Sequence, residues 1–462
     1  MSAEREDRRA ALAEGGRRPL IGTLTLGCKL NQAETQALGR ELEAAGCRVV
    51  DRPAQADGYL INTCTVTRTA DAKARRLIRM VGRLSPGAPV VVTGCYAERS
   101  GEEIMQSTGA SVVVGNGSKF LAAERLLDLL DEGSQGAAAE VHSWAGGAGR
   151  TRAFVKIQEG CNDVCAFCIV PRVRGRERAV PIGEVVAAVQ EREEAGALEV
   201  VLTGTQPGAY GRDRSDGSNA ALLIETLLAE TSVPRIRYSS IQPQDVTPEL
   251  LAQWEDGRMC RHFHLALQSG SDRVLGQMRR RYDVAGFRRA VEWIRAAVPG
   301  CAITTDVIAG FPGESDAAFE ETLSVVKEVG FARAHVFPYS TRPGTSGALL
   351  RDDVPVATKQ ARVRQLLDLT ESQATAFRSR LVGETMAVLF ESRREEEGGA
   401  VWTGLSDTYV PVEVAGDMSG VSLGPDGLRN RIVPVTIVGT RDREGVSGGA
   451  GSRGAVTGRV VA

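Results

Sequence analysis

The chain has 462 residues, 42% hydrophobic and 25% charged, a soluble globular composition that excludes wholesale disorder and leaves material for about three domains. Lys+Arg 56 against Asp+Glu 58 gives a formal net charge of −2, so a nucleic-acid partner has to be met by locally gathered cations. No run approaches the ~18 apolar residues of a membrane span and the N-terminus lacks a secretory apolar stretch, so no membrane partner is expected and the compartment is cytoplasmic.

Residues 1–19 alternate acids with arginines and read as a disordered arm. From 20 to 131, apolar runs at 21–26, 58–62, 89–93 and 111–114 alternate with amphipathic stretches at 31–45, 68–84 and 118–130. That is the pattern of an α/β domain on a parallel sheet. Residues 132–150, rich in Gly, Ala and Ser, read as a linker. Six β/α units follow between 151 and 382, with strands at 153–158, 199–202, 235–239, 262–267, 302–307 and 334–337 and helices such as 182–194, 285–297 and 356–381. Six units predict a partial (β/α)6 barrel rather than a closed eight-fold one, with an open doubly wound sheet as the alternative. Residues 383–440 carry β-type runs at 386–391, 409–414 and 432–438 without helical period, which predicts a small five-stranded β-barrel. The Gly-, Ser- and Arg-rich stretch 441–462 reads as a disordered tail.

Nine cysteines in such a compartment point to metal or redox ligands rather than to a disulfide framework. Cys161, Cys165 and Cys168 form C-x3-C-x2-C directly after the first strand of the middle domain, a loop able to turn three soft thiolates toward one point. A closed structural zinc site wants four ligands, and the next cysteine is Cys260; three ligands on a 4Fe–4S cluster leave one iron open for a substrate or cofactor. Cys28, Cys64 and Cys95 each follow a predicted strand. In a parallel sheet the strand carboxyl ends share one edge, where ligands bind, so these three form a second candidate trio. Cys47, Cys260 and Cys301 read as free thiols, and a structural role is expected for all four histidines.

C-x3-C-x2-C with Phe167 before its last cysteine is similar to the radical S-adenosylmethionine (SAM) signature. GCKLNQAET at 27–35, NTCTV at 62–66 and TGCYAER at 93–99 resemble the N-terminal domain of the methylthiotransferases, and WTGLSDTYVPVEV at 402–414 resembles their TRAM domain. The resemblance covers about residues 20 to 440. Of the family's branches, GCKLNQ, RRRY at 279–282, AITTDVIAGFPGE at 302–314 and HVFPYSTRPGT at 335–345 look most like the MtaB-like one, which acts on threonylcarbamoyladenosine in tRNA. The isopentenyladenosine branch is the near alternative; a non-catalytic zinc- and RNA-binding protein is the distant one. Ala179 stands where the family usually has serine, and residues 384–440 hold four arginines against nine carboxylates, too acidic to grip phosphates by charge alone.

The resemblance implies two 4Fe–4S clusters, with Cys161, Cys165 and Cys168 on the SAM-binding one and Cys28, Cys64 and Cys95 on a sulfur-supplying one. It also implies a tRNA anticodon loop as substrate, an electron donor such as flavodoxin or ferredoxin, and a sulfur source. Barrel geometry puts the cofactor at the strand carboxyl ends, where Gly204, Thr205, Gln206, Ser240, Gln268, Ser269 and Asp306 join Phe167 as candidate SAM-binding residues. Arg172, Arg174, Arg176 and Arg178, just beyond the cluster loop, are the candidate RNA contacts, because a flat guanidinium binds phosphate and stacks on bases.

Overall fold

Five parallel strands, β1 (Leu20–Thr25), β2 (Arg48–Val50), β3 (Gly58–Thr63), β4 (Val90–Gly94) and β5 (Val112–Val114), form the first sheet in the order β2-β1-β3-β4-β5. In this computed structural model the described residues are 18–132, 151–396, 399–416, 427–441 and 454–461; the expected linker beyond Glu132, which ends a helix, and nearly all of the expected arm lie outside them. β3 and β4 are buried along their whole length because the sheet is covered on both faces, which is why they read as unbroken apolar runs. Tyr59, Ile61 and Val92 pack with Ile78, Val81 and Ile104 of helices Arg68–Leu84 and Cys95–Thr108 on one side. The alternate residues Ile21, Leu60 and Val91 pack with Leu38, Leu42 and Leu126 of helices Lys29–Ala44 and Ala122–Glu132 on the other. β2 and helix Cys95–Thr108 are additions to the sequence expectation.

The middle domain is a partial barrel of six parallel strands, Arg152–Lys156, Glu199–Thr203, Arg235–Tyr238, His262–Leu265, Ala302–Ala309 and Arg333–Pro338. The first three pair in sequence, as do the last three, and the short stretch Ser240–Ile241, just past the third strand, pairs in parallel with the fourth. Among the described residues no pairing joins first to sixth, so the barrel is open on that side, and helix Lys29–Ala44 packs against its first strand there. Strand alternation sorts the walls. Ala153, Val155, Val200, Leu202, Ile236, Phe263, Ile303 and Val307 join the helices in the apolar core. Arg152, Glu199, Arg235, Arg237, His262, His264, Thr304 and Asp306 take the alternate positions and line the lumen.

The C-terminal domain is a closed five-stranded barrel of Thr385–Glu396, Gly399–Ser406, Pro411–Ala415, Ala455–Val460 and Arg431–Arg441, in that spatial order. Here one expectation is corrected. The stretch 441–462, read as a disordered tail, supplies the strand Ala455–Val460, parallel to Pro411–Ala415 and antiparallel to Arg431–Arg441. Ala455 and Val456 are buried, and closing the barrel leaves no unpaired strand edge; the flanking glycines, serines and arginines hide this short apolar run from a composition reading. The barrel docks on the floor of the lumen: Arg235 Nη1 donates to Leu405 O at 3.2 Å, Arg237 Nη1 to Asp407 O at 2.9 Å, and Arg261 pairs with Asp407 at 2.6 Å. Among the described residues no helix is long and apolar enough to cross a membrane.

Candidate active site

Cys28 lies just past the end of β1, while Cys64 and Cys95 directly follow β3 and β4. These three strands are neighbours in register, Thr25 opposite Asn62 and Thr63 opposite Gly94, so the cysteines emerge at one sheet edge. The approach is tight. A Cβ on Gly27 (φ +121) would stand 2.7 Å from Cys64 Cβ, and one on Gly94 (φ +102) 2.3 Å from Thr63 O; only glycine fits at either place. Asn31 ties the edge together, with Nδ2 donating to Leu26 O (2.9 Å) and Thr63 O (3.1 Å) while Oδ1 accepts from Cys28 Sγ (3.6 Å). Burial, reinforced by Cys28 and Cys95, pushes the Cys64 thiol up to about 12.

The second trio sits on the loop after the first barrel strand, and polar contacts pin it. Cys161 N–H donates to Gly175 O at 3.1 Å and its Sγ to Gln206 Oε1 at 3.0 Å. Arg280 Nη1 donates to Cys165 Sγ at 3.2 Å and Nη2 to Gln242 Oε1 at 2.9 Å, and Gln242 in turn donates to Asp163 at 3.0 Å. Burial raises Cys161 to about 12 and Cys168 to about 11; Cys168 also feels Cys165 and Cys95. That last pair links the trios, and Cys95 packs in one buried apolar cluster with Ile169 and Val173, so the two sets adjoin across the domain seam. All six are free thiols. Among the described residues no three Cys, His, Asp or Glu side chains gather as a single metal ion requires. As donors, two sets of three soft thiols, one at strand ends and one on a loop, fit iron–sulfur clusters.

Two buried barrel arginines clamp the first domain beside its trio. Arg174, 6% exposed, donates Nη1 to Glu34 Oε1 (2.7 Å) and Nη2 to Glu34 Oε2 (3.0 Å) and Asn31 Oδ1 (2.6 Å). Lys119 reaches Glu34 as well. Burial alone would raise the Glu34 carboxyl, yet the Arg174 hydrogen bond and the two cations hold it at about 2. Arg342, 2% exposed, binds Asp71 through Nη1 and Nη2, both at 2.8 Å, and also reaches Thr65 O. The assignment of Arg174 to RNA is therefore corrected: its guanidinium is spent on a buried interdomain carboxylate. Arg172, Arg176 and Arg178 are exposed, Arg178 in an ion pair with Glu159. In the 279–281 run, Arg280 binds Cys165, and Arg281 pairs with Asp163 at 3.2 Å.

The cofactor candidates divide. Gln206 contacts Cys161. Thr205 Oγ1 is buried with no hydrogen-bond partner among the described residues, which leaves it available to a partner from outside the chain. Phe167 packs beside Ala166, Met278, Phe311 and Tyr339. Gly204 is required by chain packing, since a Cβ would lie 2.8 Å from Gln158 O. Gln268 holds a left-handed φ of 62 and bridges Asp306 O and Ile308 N through its backbone, a strained setting characteristic of binding sites. Ser240 is exposed at a strand edge beside His264. Ser269 is corrected: it is fully buried, its hydroxyl accepting from Ser271 N–H and contacting Thr322, so it braces the chain rather than facing a cofactor. Asp306 pairs with His264 Nε2 at 3.2 Å, and His264 Nδ1 meets Thr304 Oγ1 at 3.0 Å. His264 thus belongs to the lumen wall, where the sequence expectation gave it only a structural role.

Residues outside that expectation are Asn31, Glu34, Gln242 and Arg342, while Arg280 of the RRRY motif binds the cysteine loop. The NQAET and STRPGT motifs contain three of them, but nothing local marks a buried interdomain role.

A three-thiol loop at the mouth of a partial parallel barrel defines the class: residues 155–326 match the Radical SAM superfamily model. Residues 21–115 match the model described as Uncharacterized protein family UPF0004. The chain is 38% identical to the threonylcarbamoyladenosine tRNA methylthiotransferase MtaB of Bacillus subtilis (90% of this chain, 92% of that one). It is 34% identical to MtaB of Thermotoga maritima (86% and 91%) and 35% identical to the tRNA-2-methylthio-N(6)-dimethylallyladenosine synthase of Moorella thermoacetica (80% and 86%). The radical SAM methyltransferase TsrM from Kitasatospora setae shares the fold, with TM-score 0.51, 15% identity, and 72% and 77% of the two chains covered. The chain belongs to the radical SAM tRNA methylthiotransferases.

Proposed function

We propose that this enzyme methylthiolates C2 of N6-threonylcarbamoyladenosine at position 37 of tRNA, using SAM and two 4Fe–4S clusters. Cys161, Cys165 and Cys168 would hold the cluster that binds SAM, and Cys28, Cys64 and Cys95 the one that carries the sulfur. The observation that carries the reading is the junction of the trios, with Cys95 packed on Ile169, the residue after Cys168. When bound, these groups supply a carbon radical from SAM and the sulfur to be transferred; orientation and exclusion of water are the protein's share.

Gln206 and Arg280 steady the cluster loop through Cys161 and Cys165. Thr205, Gln206, Gln268 and Asp306, with Phe167, Gly204 and Ser240 at the same mouth, hold the cofactor. Arg174 and Arg342 keep the first domain seated, so that both trios address one bound base. Exposed Arg172, Arg176 and Arg178 meet the anticodon-loop phosphates or stack on its bases. An external electron donor such as flavodoxin or ferredoxin, an external sulfur source and a cytoplasmic setting complete the reading. Two of the relatives reported above carry the threonylcarbamoyl name and one the dimethylallyl name, which keeps isopentenyladenosine as the alternative substrate. Mass spectrometry of tRNA nucleosides from a strain lacking the gene tests the choice. Loss of 2-methylthio-threonylcarbamoyladenosine is expected, and loss of the isopentenyl analogue instead would refute it.

A further inference from the structure

We infer that Lys29 is a specificity-determining residue whose ammonium, reaching the barrel lumen from beside Cys28, receives the carboxylate of the substrate's threonyl group. The inference rests on the substrate reading above. Lys29 opens helix Lys29–Ala44, the helix that packs against the open side of the barrel, and its side chain leaves the sheet edge of the first trio for the lumen. Its Nζ stands 5.4 Å from the centre of the Tyr409 ring, which rises from the C-terminal barrel with a left-handed φ of 66. The same ring meets Arg237 at 4.8 Å, Arg152 at 5.8 Å and the His262 ring at 4.9 Å. On the opposite wall, Asp306 and His262 both feel the Lys29 charge.

The lumen is short of anions around this amine. Glu199 is held by Arg237 at 2.8 Å and Arg235 at 3.5 Å, Asp306 is engaged by His264, and Glu391 by Arg152 at 2.6 Å. Among the described residues no carboxylate lies within ion-pair distance of Lys29 Nζ. Cations gathered on one ring repel in a low-dielectric setting, and an entering carboxylate relieves that repulsion while gaining a charge-assisted hydrogen bond. An isopentenyl group offers nothing to this wall and would strip water from Lys29, His264 and Asp306 without replacing it. The lumen is built for an anionic substituent on the base rather than for a hydrocarbon one.

The test uses the reconstituted holoenzyme and three anticodon stem-loop RNAs, bearing threonylcarbamoyladenosine, its carboxylate-masked methylamide, or isopentenyladenosine. Binding is read by fluorescence anisotropy for wild type, Lys29→Met and Lys29→Arg, with iron content checked for each. Wild type should prefer the free carboxylate over the methylamide by on the order of tenfold or more. Lys29→Met should erase that preference at unchanged iron content, and Lys29→Arg should keep most of it. If Lys29→Met retains the preference, or weakens both RNAs equally, the assignment is wrong. Turnover of the same RNAs by wild type separates the two levels: thiomethylation of the isopentenyl RNA alone would overturn the substrate reading, whereas thiomethylation of the threonylcarbamoyl RNA with the preference intact in Lys29→Met overturns only the role of Lys29.

Discussion

Replacing Arg174 by Met keeps the apolar stem but deletes three charge-assisted hydrogen bonds, two to Glu34 and one to Asn31. Glu34 stays 7% exposed with Lys119 as its remaining partner. Removing one member of a buried pair costs about 3–5 kcal/mol. A second route gives a similar figure. A carboxyl held at about 2 against an ordinary 4.5 represents about 3.4 kcal/mol of folding free energy, shared between Arg174 and Lys119. With about 3 kcal/mol lost, and roughly 2–4 °C per kcal/mol for a unit of this size, the melting temperature should fall by about 6–12 °C. Scanning calorimetry of the two proteins reads the shift, with Arg176→Met, an exposed arginine, as the control that should not move. The pH dependence gives a further check. Because the Glu34 carboxyl is depressed in the folded state, its contribution is complete above about 4.5 and is lost as pH falls toward 2. That acid-side loss should shrink in Arg174→Met. A variant melting within about 2 °C of wild type, with the same acid profile, would refute the clamp.

Exposed Arg172 and Arg176 remain as RNA candidates. Changing both to Ala should weaken tRNA binding and flatten the log K against log salt slope by about 1.4, at roughly 0.7 per single-strand phosphate contact; an unchanged slope would remove this surface from the interface. Deleting residues 454–462 should open the C-terminal barrel, because Ala455–Val460 bridges two other strands. Circular dichroism and limited proteolysis would report an unfolded C-terminal domain, and a protease-resistant domain with unchanged melting would contradict the strand's structural role.

The sheets and the six barrel units were legible because the first-domain strands are mostly apolar runs and the barrel strands keep apolar residues at alternate positions between polar turns, and helices Arg68–Leu84 and Ile182–Glu194 agree with their periodicity to the residue. Helix Cys95–Thr108 escaped because its second turn carries Ser100 in a non-helical conformation and an adjacent glycine; β2 is only three residues long, none fully buried. Spacing and strand ends were enough to nominate the two cysteine trios as candidates. Arg174 could not. In PRVRGRERAVP it looks like any member of an exposed basic run, and its burial is decided by Glu34, 140 positions away. Ser269 and the strand at 455–460 went astray for the same reason: their environment comes from Thr322 and from two distant strands, which no local pattern encodes. His264 gains its place only when strand pairing sets Thr304 and Asp306 beside it.

The most direct measurement is the iron content and product yield of the anaerobically reconstituted enzyme with Cys28, Cys64 and Cys95 changed together to Ala. Two 4Fe–4S clusters give about eight irons per wild-type chain, so this variant should retain about four, still cleave SAM reductively, and make no methylthiolated nucleoside. A variant that kept the full iron load, or still delivered product, would contradict the assignment of a second, sulfur-bearing cluster to this trio.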